Sequence, residues 1–170
     1  SMSSRRITPA KRVVVACFTI FTLTACSSGT TPTGLSKSTV VTYEFQDSSV
    51  PPDYHRSIVL TVGVQEARIV VDSYGDVLAD ETTTTTASVW SQLMEGLETV
   101  AALTVDGPDE ACVGGTSARI VVVDGAETIV DLVIGQCGGS ARAATDAVDQ
   151  WIEPARALFP ATDVLAPEGE

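Results

Sequence analysis

The sequence predicts an α+β domain, an antiparallel sheet of about six strands with two helices packed on one face. Two observations carry this. Six short runs of β-type residues are separated by turn-forming residues, and two longer stretches place apolar residues at helical spacing. The chain has 170 residues, 44% hydrophobic and 19% charged, enough for one core of ordinary size and too few for two comfortable domains.

Val40 to Phe45 alternates as a first strand. Pro51-Pro52-Asp53 interrupts it, because proline removes a ladder donor and fixes φ. Ser57 to Val64 reads as a second strand, Gln65-Glu66 as a turn, and Ala67 to Asp72 as a third strand. Ser73-Tyr74-Gly75-Asp76 is a turn with glycine available for positive φ, and a fourth strand runs from Val77 into the threonines. Thr82 to Thr86 reads as the end of an edge strand rather than as a binding row of hydroxyls.

Ser88 is the expected cap of a helix running to about Leu103. Val89, Trp90, Leu93, Met94, Leu97, Val100 and Ala101 form its apolar face, with Ser91, Gln92, Glu95 and Glu98 opposite. Arg119 to Val123 and Thr128 to Ile134 make a hairpin around Asp124-Gly125. Ser140 can cap a second helix with Ala144, Ala147, Val148, Trp151 and Ile152 inward, ended or kinked by Pro154. The acidic end, residues 161–170, is expected to be loose, which leaves 39–160 as the domain. Ala67-Arg68-Ile69-Val70-Val71 is echoed by Ala118-Arg119-Ile120-Val121-Val122, each opening a hairpin that leads to a helix. Two ββα units would explain the echo, and chance repetition of common β-type residues would explain it equally.

Residues 1–25 read as an address. Ser1 precedes Met2 and reads as a cloning remnant. A basic stretch to Arg12 is followed by thirteen mostly apolar residues, Val13 to Ala25. That is shorter than the roughly 20 residues a membrane span needs and fits a signal-peptide apolar region. The segment ends in Leu23-Thr24-Ala25-Cys26, which resembles the lipobox of bacterial lipoprotein signal peptides. The resemblance covers residues 2–26. It implies diacylglycerol on the Cys26 thiol, cleavage before Cys26, acylation of the new terminus, and residence on the extracytoplasmic face of the cell membrane. Arg5-Arg6 raises twin-arginine export as an alternative route, although Ile7, Thr8 and Pro9 depart from its usual pattern. Residues 26–38 are then the lipidated cysteine and a small-residue tether.

Charge excludes one class of partner. The chain carries 22 acidic against 10 basic residues. Arg5, Arg6, Lys11 and Arg12 all lie in the address, so the remainder holds six basic residues and a net charge of −16. Such a body is repelled by phosphate backbones, which argues against nucleic-acid binding. Cys112 and Cys137 remain once Cys17 and Cys26 are set aside. In an exported chain they are expected to form a structural disulfide.

Little chemistry is legible. The single histidine, His55, excludes an ordinary zinc site. Asp106–Glu110 reads as a solvated acidic turn rather than a calcium loop. A Ser–His–Asp triad would have to use His55 and Asp53, and no Gly-x-Ser-x-Gly elbow is present. Gly114-Gly115-Thr116 and Gly138-Gly139-Ser140 lack the lysine and spacing of phosphate loops. No catalytic residue, metal or cofactor is expected. Pro52, Asp53, Tyr54, His55 and Arg56 stand out, because tyrosine and arginine on a proline-stiffened backbone are what protein interfaces favour. An Arg56–Asp53 surface pair with Tyr54 at the sheet edge is the structural alternative. The sequence therefore reads as a non-catalytic envelope lipoprotein acting through a protein partner. Binding of a lipid or small apolar ligand, or inhibition of an exported enzyme, are the competing readings.

Overall fold

The computed structural model describes residues 35–105, 114–136 and 141–169. Cys17, Cys26, Cys112, Cys137, Ser140 and the lipobox lie outside these residues, so the anchor, the expected disulfide and the expected cap of the second helix are not placed.

The described chain forms β1 (Thr39–Gln46), β2 (Ser57–Val62), β3 (Glu66–Ser73), β4 (Asp76–Thr84), α1 (Ala87–Ala101), β5 (Thr116–Asp124), β6 (Glu127–Gln136), α2 (Ala141–Arg156) and the short α3 (Thr162–Leu165). The six strands make one sheet in the order β4-β3-β2-β1-β5-β6, antiparallel at every seam. Alternation decides which side is buried. Val41, Tyr43, Ile58, Leu60, Val62, Ile69, Val71, Ile120 and Val122 face the core. Trp90, Leu93 and Leu97 of α1 and Val148, Trp151 and Ile152 of α2 close over them. The helices lie together: the indole of Trp151 rests on Gly96, and its Nε1–H donates to the Leu93 carbonyl at 2.8 Å.

Several boundaries differ from expectation for local reasons. The second strand stops at Val62, because Gly63 N–H bonds back to the Glu66 carbonyl (2.8 Å) and makes Gly63–Gln65 the turn; Glu66 belongs to β3. Thr86, not Ser88, caps α1: its extended backbone lets Oγ1 accept from Val89 N–H at 3.2 Å. Ser88 lies inside the first turn, where its carbonyl and hydroxyl accept from Gln92 Nε2. The helix ends at Ala101, with Ala102 N–H closing on Glu98, and Ala101, expected on the apolar face, is exposed in this last turn. Pro154 does not end α2, which continues to Arg156. In the last turn a proline removes one hydrogen bond, and Ala157 N–H resumes the ladder at the Glu153 carbonyl. The C-terminal segment expected to be loose contains α3 and is fixed at Ala166, which is 3% exposed.

The two outer hairpins correspond position for position. A displacement of 51 residues carries Arg68 onto Arg119 and Asp80 onto Asp131. Each arginine makes the same two-pronged contact across its hairpin, at 2.7 and 2.6 Å in the first and 3.0 Å twice in the second. These bonds hold both carboxyls below the usual carboxylate range. The register shift between Val71 and Asp72 recurs between Val122 and Val123. The same displacement carries Trp90, Leu93, Leu97 and Val100 onto the buried Ala141, Ala144, Val148 and Trp151. At the centre, Leu60 pairs with Ile69 as Tyr43 pairs with Ile120, and Tyr43 and Leu60 pair with each other.

Candidate functional site

The residues singled out in the sequence lie at one corner of the sheet, where the loop from β1 to β2 meets the β3–β4 turn and the C-terminal segment. Pro51 sets the loop: its carbonyl accepts from Tyr54 N–H (2.9 Å) and His55 N–H (3.1 Å). Pro52 offers its carbonyl to Ser73 Oγ at 2.7 Å, which ties the loop to the end of β3.

His55 is driven inside, 1% exposed. Its ring stacks on Tyr74 with centroids 3.9 Å apart and planes 23° from parallel. Tyr74 N–H points at Nδ1 (3.4 Å), while Nε2 faces Ser57 Oγ (3.3 Å) and Gln46 Nε2 (3.4 Å). A Ser–His–Asp arrangement with Asp53 would need an orienting carboxylate at one ring nitrogen, yet Nδ1 faces a backbone amide, and Ser57 is itself buried.

Arg56 does not form the expected surface pair with the Asp53 carboxylate. Its guanidinium is spent on main-chain oxygens: Nε donates to Ala166 (2.8 Å), Nη1 to His55 (2.7 Å) and Pro52 (3.4 Å), Nη2 to Asp53 (3.0 Å) and Pro167. Asp53 contributes its carbonyl a second time, to Gly169 N–H at 3.0 Å. A planar fork with five donors can gather carbonyls from two distant segments, which an ammonium cannot. This clasp is why the C-terminal segment is ordered.

Two aromatic side chains are left at the surface of this rigid corner, Tyr54 (46% exposed) and Tyr74 (56%). Tyr74 adopts φ +52°, the one positive value outside glycine among the described residues. Gly75 follows at +93°, so the turn has the two left-handed residues that a tight hairpin prefers. A bulky residue there costs of the order of 1–3 kcal/mol. The His55 stack and the bond from Tyr74 Oη to the Val50 carbonyl (2.6 Å) hold it in place. Sequence reading found residues 52–56 and missed Tyr74, whose signal was its place beside the turn glycine.

A second feature was not legible. Tyr43, Phe45, Ile58, Asp149, Arg156 and Thr162 border a recess of about 290 Å³ where α2 leaves the sheet. Tyr43 Oη donates to Asp149 Oδ1 at 3.4 Å, and the Arg156 guanidinium lies 6.0 Å from the Tyr43 ring centre. Burial, reinforced by the Asp149 charge and opposed by Arg156, pushes the phenol up to about 12. Gln92, Glu95, Thr99, Ala147 and Gln150 flank a groove of about 440 Å³ between the two helices. Both open to solvent; the first lies between the helix-covered face of the sheet and α2, the second between the two helices. Among the described residues no group of three His, Cys, Asp or Glu is placed to hold a metal ion. No protein-family model matches the chain, and no curated protein matches it.

Proposed function

We propose that this chain is a lipid-anchored cell-envelope protein whose domain works by docking to another protein, with the Tyr54–Tyr74 corner as the docking surface and no catalytic step of its own. One observation carries the reading. Tyr74 is exposed by more than half, yet its backbone is held in a conformation tyrosine disfavours and its ring is stacked against a buried histidine. A solvent-facing aromatic fixed at such a cost presents a pre-ordered anchor, and anchors of this kind dominate interface energies. Tyr54 stands on the same loop as His55 and Arg56, whose side chains support the corner from beneath. Pro52 and Asp53 complete it.

The anchor is Cys26 within Leu23-Thr24-Ala25-Cys26, and the tether leads directly into β1. The disulfide between Cys112 and Cys137 is proposed on chain geometry: Thr116 pairs with Gln136, so the two cysteine-bearing segments leave the same end of one hairpin. The common displacement that relates both hairpins and both helices supports a domain of two ββα units around the β1–β2 pair.

The test is extraction of tagged protein from its own membranes in mild detergent, followed by native mass spectrometry. One protein retained in fixed ratio, lost on Tyr54→Ala while thermal stability is unchanged, is the expected result. Retention unaffected by Tyr54→Ala removes the corner as the docking surface. A palmitate-type mass addition that survives Cys26→Ala removes the anchor.

A further inference from the structure

We propose that the recess between the sheet and α2 binds a small zwitterion of the amino-acid type with an apolar side chain. This goes beyond the docking reading and uses a different part of the molecule from the Tyr54–Tyr74 corner.

Four charged residues border the recess: Asp47 and Arg56 from the two ends of the β1–β2 loop, Asp149 and Arg156 from α2. All four are partly buried, and no ion pair joins them. Among the described residues the ion pairs are Arg68–Asp80 and Arg119–Asp131, both on the other side of the molecule's charge. Two of the four are satisfied by the main chain. The Asp47 carboxylate accepts from Ser48 N–H (2.7 Å) and Arg56 N–H (2.9 Å), and the Arg56 guanidinium is spent on carbonyls.

The two from α2 are left open. Among the described residues the Asp149 carboxylate receives Tyr43 Oη alone, on Oδ1 at 3.4 Å. The Arg156 guanidinium donates to no acceptor there and stands 6.0 Å from the Tyr43 ring centre. Glu153, one turn before Arg156, is exposed and makes no ion pair with it. Charged groups drawn partly out of water with bonding capacity unused cost free energy, and a ligand of matching charges recovers it.

The walls select that ligand. Asp149 and Arg156 lie two turns apart on one face of α2, and both reach the same Tyr43 side chain, one at its hydroxyl and one over its ring. Burial pushes the Tyr43 phenol up to about 12, so it stays a donor to Oδ1 and leaves Oδ2 for an ammonium. The Arg156 fork suits a carboxylate, and the Thr162 hydroxyl borders the same space as a further donor. Phe45, Ile58 and the Tyr43 ring complete the lining and receive an apolar side chain. The Arg56 clasp on Ala166 and Pro167 fixes the segment that carries Thr162, so this wall is preformed. Net charge disfavours the simpler ligand: a body of net charge −16 repels a free anion, whereas a zwitterion approaches without that penalty. A recess of about 290 Å³ is at the small end of ligand sites and suits one such molecule rather than a length of peptide.

The test is calorimetric titration of L-leucine into the full chain in detergent, beside isocaproate, which lacks the ammonium, and isoamylamine, which lacks the carboxylate. One leucine per chain is expected, with each analogue weaker by about 10-fold or more. Arg156→Gln and Asp149→Asn should each weaken leucine by about 10-fold or more, and Arg156→Lys by several-fold through loss of the fork. Arg142→Gln, exposed at the other end of α2, should change nothing. Far-UV circular dichroism controls for folding of the variants, while the analogue series reads the same chemistry on the unaltered chain. Neither heat nor a raised thermal midpoint at about 10 mM leucine overturns the proposal. Leucine binding indifferent to both Arg156→Gln and Asp149→Asn, or isocaproate binding as tightly as leucine, overturns it equally. Each of these failures leaves the docking reading standing, because that reading is scored by Tyr54→Ala.

Discussion

Gly96→Ala is the sharpest test of how the two helices are held. A Cβ built at Gly96 falls 2.5 Å from Trp151 Cδ1 and 3.1 Å from Nε1. The indole cannot retreat freely, because its Nε1–H donates to the Leu93 carbonyl at 2.8 Å and the ring is 8% exposed. Either the helices part by about an ångström or the indole swings and leaves its buried N–H unpaired. Overpacking of this kind costs about 2 kcal/mol. Loss of the buried bond adds about 1–2 kcal/mol. Alanine's better helix propensity returns about 1 kcal/mol. The net expectation is a loss of about 2–3 kcal/mol, read as a lowered urea midpoint at constant m-value, with a red-shifted tryptophan emission. In the double variant with Trp151→Leu the two losses should fall short of their sum, because the smaller side chain removes the clash. A Gly96→Ala protein that is more stable by about 1 kcal/mol, the propensity gain alone, would refute the close approach and the reasoning built on it.

Other expectations follow from the same contacts. Arg56→Lys keeps the charge and loses the fork that reaches Ala166, Asp53 and Pro167; a stability loss of about 2–4 kcal/mol by denaturant unfolding is expected, with proteolysis of the C-terminal segment accelerated. Truncation before Pro167 should reproduce part of that loss, and an unchanged midpoint for both variants would contradict the clasp. Tyr43 gives a signed pH dependence. Its folded pKa stands near 12 against about 10 unfolded, so the stability it contributes is complete below pH 10 and is lost as pH rises toward 12. Tyr43→Phe should flatten that alkaline limb in pH-resolved unfolding, and a limb of unchanged steepness would assign it to another group.

Local rules reached far into this fold and stopped at identifiable places. Both long helices and most strands were legible because their apolar residues recur at periods of 3.6 and two, and β4 because it follows the Tyr74-Gly75 turn. The cap was misplaced by two residues because Thr86 and Ser88 each offer a hydroxyl oxygen able to accept from a helix-start N–H. Which of them acts depends on where the edge strand ends, at Thr84. The order of the C-terminal segment was not legible, since nothing within residues 161–170 announces that an arginine 110 positions earlier will collect its carbonyls. The same distance hid the recess: Tyr43, Asp149 and Arg156 come from elements a hundred residues apart. Tyr54 and Arg56 drew notice for residue type alone, and the fold divides their roles, leaving Tyr54 outside and turning Arg56 inward.

Ionic strength tests how the corner proposed as the docking surface finds its partner. A body of net charge −16 attracts a basic partner over a long range. Salt at 0.1 M shortens that reach to about 10 Å and leaves burial of the Tyr54 and Tyr74 rings untouched. A basic partner held at the Tyr54–Tyr74 corner should therefore lose association rate and affinity as salt rises from about 50 to about 500 mM. Sedimentation across that series reads the sign directly. Association that holds constant with salt would mean that the aromatic anchors, and not the acidic body, carry the recognition.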